Sequence, residues 1–183
     1  MVALLVAVFV ALPALPGQAQ SFSKKDLGRR ALQTVVAHLK SDDSDVRALA
    51  SHILGEAGNK AAGGMLRKML EDKDKYVRIS AARAVWQLGS PAGLKTVLAI
   101  VNDIPAQGPI PVTNNPLVEL KIISQNKIRE RAIEAYVWMK GENSSELLYK
   151  LKNDNYGTVR DAAARELARL GRNDELAQFT EAL

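Results

Sequence analysis

VRALASHILGEAG from Val46, VRISAARAVWQLG from Val77, IRERAIEAYVWMKG from Ile128 and VRDAAARELARLG from Val159 are four versions of one phrase. Their arginines, Arg47, Arg78, Arg129 and Arg160, stand 31, 51 and 31 residues apart, so the middle interval is one repeat plus 20 extra residues. A fixed period of this length means stacked supersecondary units.

Counted from each leading Val or Ile, offset four is Ala50, Ala81, Ala132 and Ala163. Offset eight is Leu54, Val85, Tyr136 and Leu167, and offset eleven is Ala57, Leu88, Met139 and Leu170. At about 100° per residue these offsets share one stripe, which predicts a helix with one buried face. The alanine at offset four predicts a close crossing with a neighbouring helix. Gly58, Gly89 and Gly171 follow at offset twelve, where a left-handed helix end favours glycine, and unit three has Gly141 one place later. Acidic turns such as Ser41–Asp45 and Glu71–Asp74 precede the phrase, and a shorter apolar pattern precedes each turn. Each unit therefore reads as helix A, turn, helix B. The expected fold is all-α, an α-α superhelix of about four helical hairpins. Units are expected at about 24–58, 59–89, 90–141 and 142–172, with a closing helix at 173–183.

Two acids, then Val-Arg, then an Ala-rich helix ending Leu-Gly resemble the HEAT-like repeats first noted in phycobilin lyases. The likeness covers residues of about 27 to 172. It implies a right-handed superhelix whose B helices line the concave side, a surface such proteins often use to bind other proteins. It also permits a tetrapyrrole (bilin) lyase or lyase subunit. The acid three places before the leading residue is Asp43 and Asp74 in the first two units but Gln125 and Tyr156 in the last two. The pattern for an Asp–Arg ladder is thus complete only in the first half.

The 20 extra residues lie between helices A and B of unit three. Residues 102–116 contain Pro105, Pro109, Pro111 and Pro116 and cannot form regular helix. Leu117 to Ser124 is apolar enough for an added turn of helix or a short extended piece. A long loop in a compact array is functional or disordered, and this one is the feature the repeat does not require.

The first 20 residues carry no charged side chain, and their apolar run, Val2 to Leu12, is shorter than the roughly 20 residues that span a bilayer. Gly17-Gln18-Ala19 fits the small-x-small rule, so residues 1–19 are expected to be a signal peptide cleaved after Ala19, in an exported, periplasmic or secreted protein. There is no cysteine, which removes thiol catalysis and cysteine-ligated metal sites. The net charge is +5, with Lys24, Lys25, Arg29, Arg30 and Lys40 clustered early. That cluster offers a weak attraction to an anionic envelope or membrane surface.

Catalytic constellations are absent from the pattern. His38 and His52 are the only histidines, on different helices and without an acid or nucleophile at useful spacing. Asp42-Asp43-Ser44-Asp45 lacks the glycine and distant Glu of a calcium loop and reads as helix capping. Gly63-Gly64 is not followed by Lys-Ser or Lys-Thr, as a phosphate loop requires. Ser144 or Ser145, beside Asn143, is expected to cap a helix. No catalytic residue, metal or cofactor is expected. The repeat arginines are expected to bond turn acids and carbonyls of adjacent units.

The outward face of helix B, offsets two, six, nine and thirteen, includes Ile79, Arg83, Trp86, Glu130, Glu134, Val137 and Arg165. A tryptophan beside charges of both signs suits a binding hot spot. Trp86 at offset nine points away from the core stripe, and Trp138 at offset ten lies on its flank. The expected function is a non-catalytic, exported protein-binding scaffold or adaptor. Its partner is another protein rather than nucleic acid. The expected partner site joins Arg83, Trp86, Glu130, Glu134 and Trp138 to Pro109 and Pro111 of the insertion.

Overall fold

The computed structural model describes residues 23–105 and 115–172. Among them are eight α-helices and no strand. The A helices are α1 (Lys24–His38), α3 (Gly63–Met69), α5 (Ala92–Val101) and α7 (Ser145–Leu151). The B helices are α2 (Ser44–Glu56), α4 (Lys75–Gln87), α6 (Pro116–Lys140) and α8 (Gly157–Arg169). Short 3-10 turns, Lys60–Ala62 and Gly141–Ser144, lead into α3 and α7. The expected signal segment, the closing helix, and Pro109 and Pro111 lie outside the described residues.

The helix ends follow from side chains in the turns. Asp43 caps α2 by accepting from the Asp45 N–H at 2.8 Å. Asp74 caps α4, one carboxylate oxygen taking the N–H groups of Tyr76 at 2.7 Å and Val77 at 3.2 Å. Asn115 caps α6, with Pro116 at its first position, where a missing N–H costs nothing. At the other end, Gly89 stands at φ 85°, and the Ser90 N–H reaches back to the Val85 carbonyl at 2.9 Å. Gly58 and Gly171 also have positive φ, as does Gly141, whose ψ of −133° sets it apart from a left-handed helical cap. Ser144 stands at the N-cap of α7, but neither it nor Ser145 makes a side-chain cap bond: their hydroxyls donate to the carbonyls of Gly141 and Glu142, in the turn itself.

Most of the predicted stripe is the core, while Ala57, at offset eleven of the first unit, is exposed. Ala50, Leu54, Val77, Ala81, Val85, Ala132, Met139, Val159, Ala163 and Leu167 are all buried. Packing runs in two continuous clusters, one filling units one and two and the other units two to four, with Leu70 touching both. Each B helix lies along the next, α2 on α4, α4 on α6 and α6 on α8, while the A helices pack on their B helices. The small residues set the spacing. A Cβ on Gly55 would sit 2.7 Å from the Ala84 Cα, and one on Gly93 would sit 2.6 Å from the Ala82 Cα. The B helices pack on one another as one layer, and the side of that layer turned away from the A helices is its inner face.

The extra residues of unit three lengthen helix B. Leu117 to Ser124 joins the repeat helix in one 25-residue α6. Of the two forms its apolar sequence allowed, this is the helical one. Its early residues Leu117, Leu120 and Ile123 stay exposed. No helix among the described residues is long and apolar enough to cross a membrane.

Candidate functional site

Two of the four repeat arginines, Arg47 and Arg129, tie neighbouring units together. Arg47 is buried and grips Asp72 of the next turn through Nε at 2.8 Å and Nη2 at 2.9 Å. Its Nη1 donates to the carbonyls of Ser41 and Asp42, each at 2.9 Å. The guanidinium holds the Asp72 carboxyl below the usual carboxylate range, and the carboxylate raises the Arg47 pKa in return. Arg129 repeats this at the same chain separation of 25: Nη2 meets Asp154 at 2.5 Å, Nη1 meets Asp154 at 3.2 Å and Asn126 at 3.1 Å, and Nε donates to the Val101 carbonyl at 2.8 Å. The ladder is therefore present in the C-terminal half, and its acid lies five places before the leading residue rather than three. The acids at minus three, Asp43 and Asp74, are occupied as helix caps.

Arg78 departs from the ladder. Asp103 stands the same 25 residues beyond it, but Lys75 takes that carboxylate, and the buried Nε of Arg78 has no hydrogen-bond partner. Arg160, in the last unit, is exposed and donates to the Asp154 carbonyl at 2.8 Å. Gln125 and Tyr156, the two departures at minus three, hold the start of the insertion. The Gln125 amide donates to the Asp103 carbonyl at 2.9 Å, and the Tyr156 hydroxyl to the Pro105 carbonyl at 3.3 Å. Burial pushes the Tyr156 phenol pKa up, keeping it a donor.

The inner face is built by offsets six and ten of the B helices, one turn apart. Offset ten reads Glu56, Gln87, Trp138 and Arg169, and offset six reads His52, Arg83, Glu134 and Arg165. Gln87 donates to Glu56 at 2.5 Å, joining units one and two. The Arg83 guanidinium sits over the Trp138 ring, 4.7 Å from its centroid, joining units two and three. Arg165 lies 3.8 Å from Glu130, joining units three and four, and Arg131 pairs with Glu134 at 3.0 Å within α6. A hollow of about 210 Å³ opens between α6 and α8, lined by Glu134, Val137, Trp138, Glu166, Arg169 and Leu170.

The expected site residues are thus partly brought together. Arg83, Trp138, Glu130 and Glu134 share the inner face. Trp86 does not project from it: it is half-buried and packed against the core of units two to four. Offset nine faces the neighbouring B helix, which is why Gly55 and Val137 there are buried, and offset two buries Ile79 for the same reason. A middle helix of a stack has neighbours on both sides, so less of its outward face is free than a single amphipathic helix suggests. Trp138, 45% exposed, is the indole the core leaves to solvent. Glu166 and Arg169 were not singled out by sequence. Their signal was the Glu–Arg spacing of three, which gives an ion pair at 2.8 Å.

His38 and His52 are both exposed, on α1 and α2. Among the described residues no three His, Asp or Glu side chains gather as a metal site would require. The early basic residues Lys24, Lys25, Arg29 and Arg30 are exposed on α1, where Arg29 pairs with Asp26 at 2.8 Å.

Four stacked helical hairpins with a buried arginine ladder define an α-α superhelical repeat protein. Residues 32–107 match the family model for HEAT repeats. The matched stretch takes in α2 to α5 and the last seven residues of α1. The match is to HEAT repeats in general and names no enzyme. HEAT repeats commonly serve as non-catalytic protein-interaction scaffolds. No curated protein matches the chain.

Proposed function

We propose that the protein is a non-catalytic scaffold, acting after export, that binds a partner protein on the inner face of its B helices around Trp138. The observation that carries this reading is an indole left 45% exposed on the B-helix layer, with Arg83 stacked on it. An exposed aromatic beside arginine is the composition of interface hot spots, where truncating one residue costs about 2–4 kcal/mol of binding. The surrounding Glu130–Arg165 and Arg131–Glu134 pairs supply a polar rim.

The test is capture from the exported fraction by the intact protein and by Trp138→Ala and Arg83→Glu. A partner held by the intact protein and lost by both variants is the expected result. Equal capture by all three would refute the site. Export rests on the uncharged apolar stretch before Gln20. Mass spectrometry of the protein from its host should find a mature form beginning near Gln20, and an intact cytoplasmic Met1 form would overturn export.

A further inference from the structure

We propose that the hollow between α6 and α8 is a pocket for one cationic side chain, arginine or lysine, of the partner. This rests on the scaffold reading and adds the chemistry of what is bound. Glu166 is the observation that carries it. Its residue is 5% exposed, its Oε1 takes Arg169 at 2.8 Å, and its Oε2 is buried without any hydrogen-bond partner. A buried carboxylate oxygen left unsatisfied in the wall of a hollow calls for a donor, and a charged donor satisfies it best.

The other walls suit the same ligand. Glu134 lies on the opposite helix, so the lining carries two carboxylates against the one guanidinium of Arg169. The Trp138 ring forms a third wall and already holds one guanidinium, that of Arg83. Its exposed remainder can stack on another cation. Val137 and Leu170 give the methylene stem an apolar floor. The hollow of about 210 Å³ has room for a single extended side chain and not for a helix or a strand. An anionic side chain would bury a third carboxylate, and an aliphatic one would leave Oε2 unpaired.

The test follows the two tryptophan indole N–H resonances of the full chain by proton–nitrogen correlation. The probes are Nα-acetyl-arginine methylamide and the uncharged Nα-acetyl-norleucine methylamide. The resonance that Trp138→Ala removes should move saturably with the arginine probe, with millimolar affinity, and hardly move with the norleucine probe. Glu166→Gln, which keeps shape and one acceptor, should weaken the arginine probe about ten-fold, the scale of one hydrogen bond to a charged group. Glu119→Gln, at the far end of α6, should bind as the native protein does. If Glu166→Gln fails to fold, Glu134→Gln replaces it with the same direction of change expected. Equal responses to the two probes, no saturable shift, or unchanged affinity in the folded glutamine variant would each overturn the pocket. A saturable arginine response together with partner capture that ignores Trp138→Ala would overturn the scaffold site and leave the pocket standing.

Discussion

Replacing Arg129 by methionine should remove a large part of the fold's stability. The guanidinium is 1% exposed, and the change strands three acceptors at once: the Asp154 carboxylate, the Asn126 amide oxygen and the Val101 carbonyl. The Asp154 side chain, 5% exposed, would keep only the Tyr156 N–H that it already accepts at 3.0 Å. Removing one partner of a buried pair costs about 3–5 kcal/mol, because the other charge stays desolvated. A domain of this kind has about 5–15 kcal/mol in total. Arg131→Ala, which breaks an exposed pair on the same helix, should cost no more than about 1 kcal/mol. Urea unfolding followed by circular dichroism and by tryptophan fluorescence reads both changes as midpoint shifts. The double variant Arg129→Met with Asp154→Leu separates the pair from the packing. It removes both charges together and should recover most of the loss. If Arg129→Met costs less than about 1 kcal/mol, or the double variant costs the sum of its singles, the rung is not a coupled buried pair and the ladder is ornamental.

The Asp72 carboxyl, depressed by Arg47, adds stability that is complete above the ordinary aspartate value near 3.9 and is lost as pH falls through the lower folded value. Thermal midpoints should therefore fall steeply below about pH 4, and less steeply in Asp72→Asn, with a parallel decline telling against the rung. Gly93→Ala should destabilise by about 1–3 kcal/mol, since its Cβ would meet the Ala82 backbone at 2.6 Å. Gly64→Ala, with open space around it, should instead stabilise by about 0.4–1 kcal/mol in the same urea assay. Trp86→Ala should lower stability by more than about 1 kcal/mol through lost packing, whereas Trp138→Ala should stay within about 0.5 kcal/mol of the native protein. The reverse order would return Trp86 to the partner surface.

The repeat register was legible because it is written in side chains that only the core and the caps need. Offsets four and eight, the glycine at twelve and the capping Asp43 and Asp74 carry their structural roles in one dimension. The ladder was harder to see because its acids lie in the turn of the following unit. Arg47 reaches 25 residues forward to Asp72, and nothing near Arg47 in sequence marks that choice. Trp86 and Trp138 differ by one place in the register, yet one packs on the core and the other meets solvent. Periodicity gives a helix its inward side. Only the neighbouring helices decide how much of the remainder is left free.

The departures from the repeat share one cause. In a regular unit the acid at minus five leads at once into helix B, so its carboxylate is delivered to the arginine of the unit before. In unit three the chain runs from Asp103 into the inserted residues instead of into α6. Asp103 goes to Lys75, and the Arg78 rung stays open. The two side chains that replace the capping acid, those of Gln125 and Tyr156, both donate to backbone carbonyls at the start of that insertion. The described start of the insertion, Asp103 to Pro105, is thus fastened to units three and four by the positions that gave up the repeat pattern. Trp138 belongs to the same pair of units, and its stacking on Arg83 spans the junction whose ladder rung is missing. A surface contact that bridges units two and three therefore stands where the buried ion pair does not. The Arg83–Trp138 stack that bridges units two and three there is formed by side chains that are also proposed to meet the partner.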